Sequence, residues 1–256
     1  MDLHENTLQL YEVIRVIDSI PVFLEDHLER LFRSAQLSGV DNLPKQADIE
    51  EMILNLITDK NQKIGNIKLS FIISDSHNQI KNELDFIPHF YPAEDKYMSG
   101  VKVGLLQADR PNPQAKIQHT AIRNKANQLM SKENVFEVLL VDDKGNITEG
   151  SRSNIFFIKG NHLFTTPDEK VLQGITRKKI LQICNSHNIT VNKEEISVNE
   201  LIQFEAAFLT GSSPKVLPIS AIGEVRFNPG IPLIKHVMDL YDKAIEEYLD
   251  DRKHPL

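Results

Sequence analysis

Apolar residues along this chain keep changing their period, from every second position to every third or fourth and back again. That alternation constrains the fold more than any other feature of the sequence. Leu8 to Val16 is rich in β-branched and large apolar residues and reads as a strand. Asp18-Ser19-Ile20-Pro21 turns it into Val22-Phe23. Leu24, Leu28, Leu31 and Ala35 then recur at helical spacing, and Gly39 stands where a helix would stop. Ile49, Met52, Ile53, Leu56 and Ile57 mark a second amphipathic helix, followed by strands at about Ile67 to Ile73 and Leu84 to Phe90. Pro92-Ala93-Glu94-Asp95 is polar, carries a proline and lies between strand patterns, so it reads as a linker. The expected organisation is a smaller N-terminal domain over 1–91, the linker over 92–95 and a larger domain over 96–256.

The larger domain opens with a strand at Val101 to Leu106. Arg110-Pro111-Asn112-Pro113 cannot be helix interior and delivers the chain to Lys116. A helix over Ala121 to Met130 precedes a strand at Val135 to Val141, and Asp142-Asp143-Lys144-Gly145-Asn146 has the composition of a hairpin turn. Short strands continue through Asn154–Ile158 and His162–Thr165, a helix begins near Ile175, Ala206–Thr210 is strand-like, and Ile234 to Tyr248 is a terminal helix. Helices and strands intersperse without a βαβ rhythm. The fold class expected is α+β, mixed α/β, rather than a doubly wound sheet.

Several functions fall away on composition. The net charge of −7, without a basic cluster, argues against a nucleic-acid partner. One cysteine, Cys184, excludes an intrachain disulfide and a multi-cysteine metal site, and suits a reducing cytoplasmic compartment. No apolar run has the length of a membrane span, and Met1-Asp2-Leu3-His4-Glu5 is acidic where a signal peptide would be basic. Neither G-x-G-x-x-G nor a P-loop is present, and the nine histidines have no metal spacing. Ser212-Ser213-Pro214-Lys215 matches S-x-x-K but lacks its companion motifs, and Cys184 sits on an apolar helix face that reads as core.

One stretch is specific. It runs Glu149-Gly150-Ser151-Arg152-Ser153-Asn154-Ile155-Phe156, then Leu163-Phe164-Thr165, then Leu172-Gln173-Gly174-Ile175-Thr176-Arg177. It resembles the signature of the class IV aminotransferases, the fold-type IV pyridoxal-phosphate enzymes. The resemblance extends to Tyr11-Glu12, to His27-Leu28-Glu29-Arg30-Leu31 and to Lys116. It implies a two-domain fold with a barrel-like sheet in the larger domain, pyridoxal 5'-phosphate as cofactor, and a homodimer with active sites between the domains.

The resemblance also implies roles. Lys116 is the lysine that tethers the cofactor aldehyde and then moves the substrate α-proton, work that suits an amine whose ammonium form is disfavoured by desolvation or a neighbouring cation. Lys125, the competitor, reads as part of a solvated helix face. Glu149 is the carboxylate that holds the proton on the cofactor ring nitrogen. Ile175 and Thr176 open a helix whose free N–H groups suit the phosphate, with Arg30 and the Thr210-Gly211-Ser212-Ser213 loop, Ser212 in particular, as the further phosphate contacts the resemblance implies.

Tyr11 and Lys68 occupy substrate-pocket positions, and the lyase subgroup shares a lysine at the position of Lys68. Ile73 stands where D-amino-acid aminotransferases carry an arginine, and His119-Thr120 where relatives carry asparagine. The function expected is amino-group transfer between a small amino acid, branched-chain in type, and a 2-oxo acid. A 4-amino-4-deoxychorismate lyase that eliminates pyruvate is the alternative, and a catalytically silent cofactor-binding homologue is the third reading.

Overall fold

The computed structural model describes residues 7–74 and 80–253. The chain forms two compact units: Met1–Phe90 with Ala115–Gln118 and Ile245–Leu256, and Tyr91–Gln114 with His119–Ala244, so far as these are described.

The first unit is built on β1 (Leu8–Ile17), β2 (Ile20–Pro21), α1 (Leu24–Leu37), α2 (Gln46–Lys60), β3 (Gly65–Ile73) and β4 (Ile80–Ile87). The strands form an antiparallel sheet in the order β2-β1-β3-β4. Asp18 and Ser19 join β1 to β2 with φ of 52° and 64°, the left-handed pair a two-residue hairpin needs to match strand twist. Burial alternates along β1. Leu10, Ile14 and Val16 face a core with Leu28 and Leu31 of α1 and Ile49 and Ile53 of α2, while Tyr11, Val13 and Arg15 lie on the half-exposed face.

The second unit runs through α3 (Glu94–Ser99), β5 (Val101–Gln107), α4 (Thr120–Glu133), β6 (Glu137–Val141), β7 (Asn146–Gly150), β8 (Asn154–Lys159), β9 (His162–Thr165), α5 (Ile175–Ser186), β10 (Val191–Lys193), β11 (Ile196–Ser197), β12 (Ala206–Gly211), β13 (Lys215–Ile222), β14 (Val225–Arg226) and α6 (Pro232–Lys253), whose last residues belong to the first unit. Its curled, mixed sheet is ordered β10-β9-β8-β12-β13-β5-β6-β7-β11, with β14 paired to β13. The strand β8 is apolar on both faces. Phe156 stacks on Phe208 at 5.1 Å between ring centroids, and Phe157 meets Phe204 at 5.0 Å, each of the four nearly inaccessible to solvent. Cys184 is wholly buried, as its helical position suggests.

One element begins inside the expected linker, and another carries a residue that strands usually exclude. Glu94 and Asp95 do not continue a linker but open α3, where acidic groups suit the positive end of a helix. Pro218 lies inside β13, which a proline argues against. It is tolerated because pairing with β5 begins only at Ile219.

One polar group interrupts the apolar face of β1. The Glu12 carboxylate is fully buried and is gripped by Arg30, whose Nε donates to Oε1 at 2.8 Å and Nη2 to Oε2 at 2.5 Å. The His27 ring meets Oε2 through Nδ1 at 2.7 Å. Burial alone would raise the Glu12 pKa, but the Arg30 charge, its hydrogen bonds and the His27 bond outweigh it and hold the carboxyl at about 2, against an ordinary 4.5. Burial also pushes His27 below its ordinary 6.5, more strongly than Glu12 pulls it up. A neutral ring with its proton on Nδ1 satisfies that arrangement.

Both depressed values mean that the unfolded chain binds more protons than the folded one. Stability is therefore expected to fall as pH drops below 6.5, and again between 4.5 and about 2 as Glu12 is finally protonated. Denaturant titrations across that range check this, and a flat profile would contradict it. Glu12→Ala leaves Arg30 buried without its counter-charge and is expected to cost about 3 to 5 kcal/mol at pH 7. Phe157→Ala, in the other core, is expected to cost a similar 3 to 5 kcal/mol or so in the same assay.

Candidate active site

In the second unit the chain from Glu149 to Asn154 makes a tight turn between β7 and β8. Gly150 N–H donates to the Ser153 carbonyl at 2.7 Å, and a Cβ on Gly150 would lie 2.0 Å from Ser153 Oγ, so any other residue would displace that hydroxyl from Glu137. A buried carboxylate shapes the turn from within. Glu137 Oε1 accepts from Ser151 Oγ at 2.7 Å and from Val138 N–H at 2.9 Å. Its Oε2 accepts from Ser153 Oγ at 3.1 Å and from Arg152 N–H at 3.2 Å. Nothing in the sequence singles out Glu137, because a strand glutamate carries no pattern until its partners are in place.

The turn ends in a second buried carboxylate, Glu149, which is 2% exposed. Its Oε2 accepts from Asn154 Nδ2 and from Leu172 N–H, each at 3.2 Å. Its Oε1 lies 3.0 Å from Arg110 Nη1. Arg110 Nη2 donates to the Ser151 carbonyl at 3.3 Å, which anchors the arginine to the same turn. Asn154 Nδ2 also donates to the Leu172 carbonyl at 2.8 Å, and this joins Glu149 to the loop that leads into α5. A Cβ on Gly174 would fall 2.1 Å from Asn154 Oδ1, so a side chain there would have to displace the Asn154 amide.

Gly174 is the N-cap of α5 and no side chain caps it. The N–H groups of the first turn, on Ile175 and Thr176 among others, have no partner within the helix and carry its positive end. Thr176 Oγ1 meets Tyr241 Oη at 3.1 Å, which fixes its rotamer. Across the sheet Asn154 is paired with Thr210, whose hydroxyl is buried and has no hydrogen-bond partner among the described residues. Ser212 follows in the turn between β12 and β13. The structure thus brings Glu149, Ile175 and Thr176 together through Asn154 and Leu172, and sets Ser212 two residues beyond Thr210. Behind them Arg177 is buried and anchors the loop, donating to Asp168 Oδ1 at 2.7 Å and to the Thr166 carbonyl at 2.8 Å.

The donor set fits pyridoxal phosphate. A phosphate dianion wants backbone N–H groups and hydroxyls, which the uncapped helix and the orphaned Thr210 hydroxyl supply. A pyridine nitrogen that must keep its proton wants a fixed carboxylate, and Glu149 is one. The sequence reading includes Thr210, in the loop expected to contact phosphate, but gives no role to Arg110 or Glu137. Only Arg110 left a trace, in the proline-flanked segment that excludes helix.

Tyr11, Arg30, Lys68 and Lys116 belong to the first unit. The segment 115–118 lies along β1: Tyr11 N–H donates to the Lys116 carbonyl at 3.2 Å, and Gln118 N–H to the Gln9 carbonyl at 2.9 Å. Lys116 N–H donates to Ser34 Oγ at 3.0 Å, and that hydroxyl donates to the Arg30 carbonyl at 2.8 Å. Extended backbone sends alternate side chains to opposite sides. Ile117 packs against the apolar core, and Lys116 Nζ stands 4.5 Å from the centre of the Tyr11 ring. Lys68 Nζ lies 5.5 Å from the same ring and donates to Gln118 Oε1 at 2.9 Å. Arg30 faces the other side of β1, with Nε and Nη2 on Glu12. His119 and Thr120, the residues that depart from the expected asparagine, cap and open α4.

Among the described residues no cluster of histidine, cysteine or carboxylate could hold a metal, and no helix is long and apolar enough to cross a membrane. Comparison with known proteins places the chain in a family. The chain is 25% identical over 252 residues to D-alanine aminotransferase from Bacillus licheniformis, a match covering 92% of this chain and 87% of the relative. It is 27% identical over 260 residues to a protein of Methanocaldococcus jannaschii named as a candidate branched-chain-amino-acid aminotransferase, covering 95% and 86%. Among solved structures, a Legionella pneumophila protein named as a candidate 4-amino-4-deoxychorismate lyase shares the fold with a TM-score of 0.82 at 22% identity, over 95% of this chain and 94% of that one. The family model for amino-transferase class IV matches residues 9–222, from β1 to the end of β13. The chain therefore belongs to the class IV aminotransferases, enzymes that work with pyridoxal phosphate.

Proposed function

We propose that this enzyme transfers an amino group between a small amino acid of branched-chain type and a 2-oxo acid, and that it does so as a homodimer whose two units are its domains. The observation that carries the reading is the coupling of Glu149 to the uncapped start of α5 through Asn154 and Leu172. One small network holds an acid for a ring nitrogen and donors for a phosphate.

Bound pyridoxal phosphate supplies an electron sink for the substrate α-carbon. The Lys116 ε-amine tethers the coenzyme and then takes and returns the α-proton, a task for which the hydrogen bonds of its backbone to Tyr11 and Ser34 hold it steady. Glu149 would hold the proton on the ring nitrogen, and Arg110, 3.0 Å from its Oε1, aims that carboxylate. The N–H groups at Ile175 and Thr176 would bind phosphate with Ser212, and Arg30 would be a further phosphate contact. Tyr11 and Lys68 orient the substrate carboxylate.

Branched-chain chemistry is favoured by the name of the Methanocaldococcus jannaschii relative and by Ile73, which replaces the arginine expected of a D-amino-acid enzyme. Elimination of pyruvate from 4-amino-4-deoxychorismate is the second reading, which Lys68 and the Legionella pneumophila structure favour.

An amino-donor screen on the purified, coenzyme-loaded protein separates them. L-Leucine, L-isoleucine or L-glutamate is expected to convert the bound coenzyme to its aminated form, seen as loss of its visible absorption. Turnover of 4-amino-4-deoxychorismate alone would install the lyase instead. Glu149→Gln is expected to retain coenzyme while lowering the rate of that conversion roughly a hundredfold or more, because the ring nitrogen loses its counter-charge. An unchanged rate would remove Glu149 from its assigned role.

A further inference from the structure

The face of the first unit that carries Lys116 holds a second ammonium, and its placement is controlled by a residue to which the site has so far given no role. We propose that Gln118 is a specificity-determining positioning residue: its amide oxygen holds the Lys68 ammonium over Tyr11 and so fixes where the enzyme reads a substrate carboxylate. The inference rests on the proposed carboxylate-orienting role of Lys68.

The geometry is set by backbone first. Pairing with β1 forces 116–118 to alternate, so that Ile117 enters the core while Lys116 and Gln118 share the opposite side. Gln118 thus emerges beside Tyr11 with its own N–H fixed on Gln9. From β3, Lys68 reaches the same side and donates to Gln118 Oε1 at 2.9 Å, while its Nζ lies 5.5 Å from the Tyr11 ring centre.

Carboxylates that could have claimed Lys68 are engaged elsewhere. Asp85 lies opposite Lys68 in the β3–β4 register, yet its Oδ1 accepts from Phe86 N–H at 2.8 Å and lies 3.6 Å from Lys60. Glu83, two positions away on β4, pairs with Lys81 at 2.8 Å, and the Lys68 charge is the weakest of the influences on it. Among the described residues the hydrogen-bond partner of Lys68 is therefore a neutral amide. An amide orients an ammonium without cancelling its charge, whereas a carboxylate there would form an ion pair and compete with any incoming acid.

Calorimetric binding of propionate, an unreactive carboxylate, tests this on the coenzyme-loaded protein and needs no turnover. Gln118→Leu is expected to weaken propionate binding about tenfold, the weight of one hydrogen bond to a charged group. Gln118→Glu is expected to weaken it further by pairing with the ammonium. In a Lys68→Met background Gln118→Leu should add nothing, since the glutamine acts only through the lysine. In kinetics with 4-methyl-2-oxopentanoate, KM should rise with kcat nearly unchanged, and coenzyme titrations should match wild type, which a general loss of structure would not allow. Equal propionate affinity in wild type and Gln118→Leu, a loss that persists in the Lys68→Met background, or no propionate binding to wild type would each overturn the proposal. Failure of the aminotransferase reading shows separately, as absence of amino-donor turnover in a wild-type protein whose propionate affinity still depends on Gln118.

Discussion

A carboxylate taken out of water costs several kcal/mol unless donors surround it, and three such groups decide how this chain is arranged. Glu12 ties β1 to α1 through His27 and Arg30. Glu137 gathers Ser151, Arg152 and Ser153 around itself and so draws the turn that presents Glu149. Glu149 then has its own donors in Asn154, Leu172 and Arg110. Each acid explains why a run of polar residues sits inside rather than on the surface. Of the three, Glu149 alone carries a role in the proposed chemistry.

The glycines serve the same end. Gly150 and Gly174 lie where a Cβ would collide with Ser153 and Asn154, so the turn and the helix start close tightly around the acid. Glu149 is left nearly inaccessible, and Gly174, with no side chain, leaves the first N–H groups of α5 without a side-chain cap. An uncapped helix start and an unsatisfied buried hydroxyl on Thr210 are costs to stability that make sense if an anion completes them.

Much of this was legible in the chain. The period of β1 and the spacing of Leu24, Leu28 and Leu31 placed the first strand and helix, because local pattern and burial agree there. The start of α5 at Ile175 was legible from Gly174. Resemblance, rather than pattern, singled out Glu149 and Lys116. What stayed hidden depends on partners distant in sequence: Glu137 meets residues 14 to 16 positions away, and Lys68 meets Gln118 across 50. The strand β13 was hidden by Pro218, whose position before the β5 pairing only the sheet reveals. Helix α3 begins inside the expected linker, because a proline and two acids describe a helix start as well as a connection.

Fold alone would not assign an activity, since aminotransferase and lyase names both attach to relatives of this architecture. What joins sequence, packing and chemistry is the amine presented by 115–118. Borohydride reduction of the coenzyme-loaded protein, followed by proteolysis and mass mapping of the labelled peptide, tests it most directly. The assignment predicts a single pyridoxyl adduct on Lys116. An adduct on Lys68 or Lys125, or none at all, would contradict it.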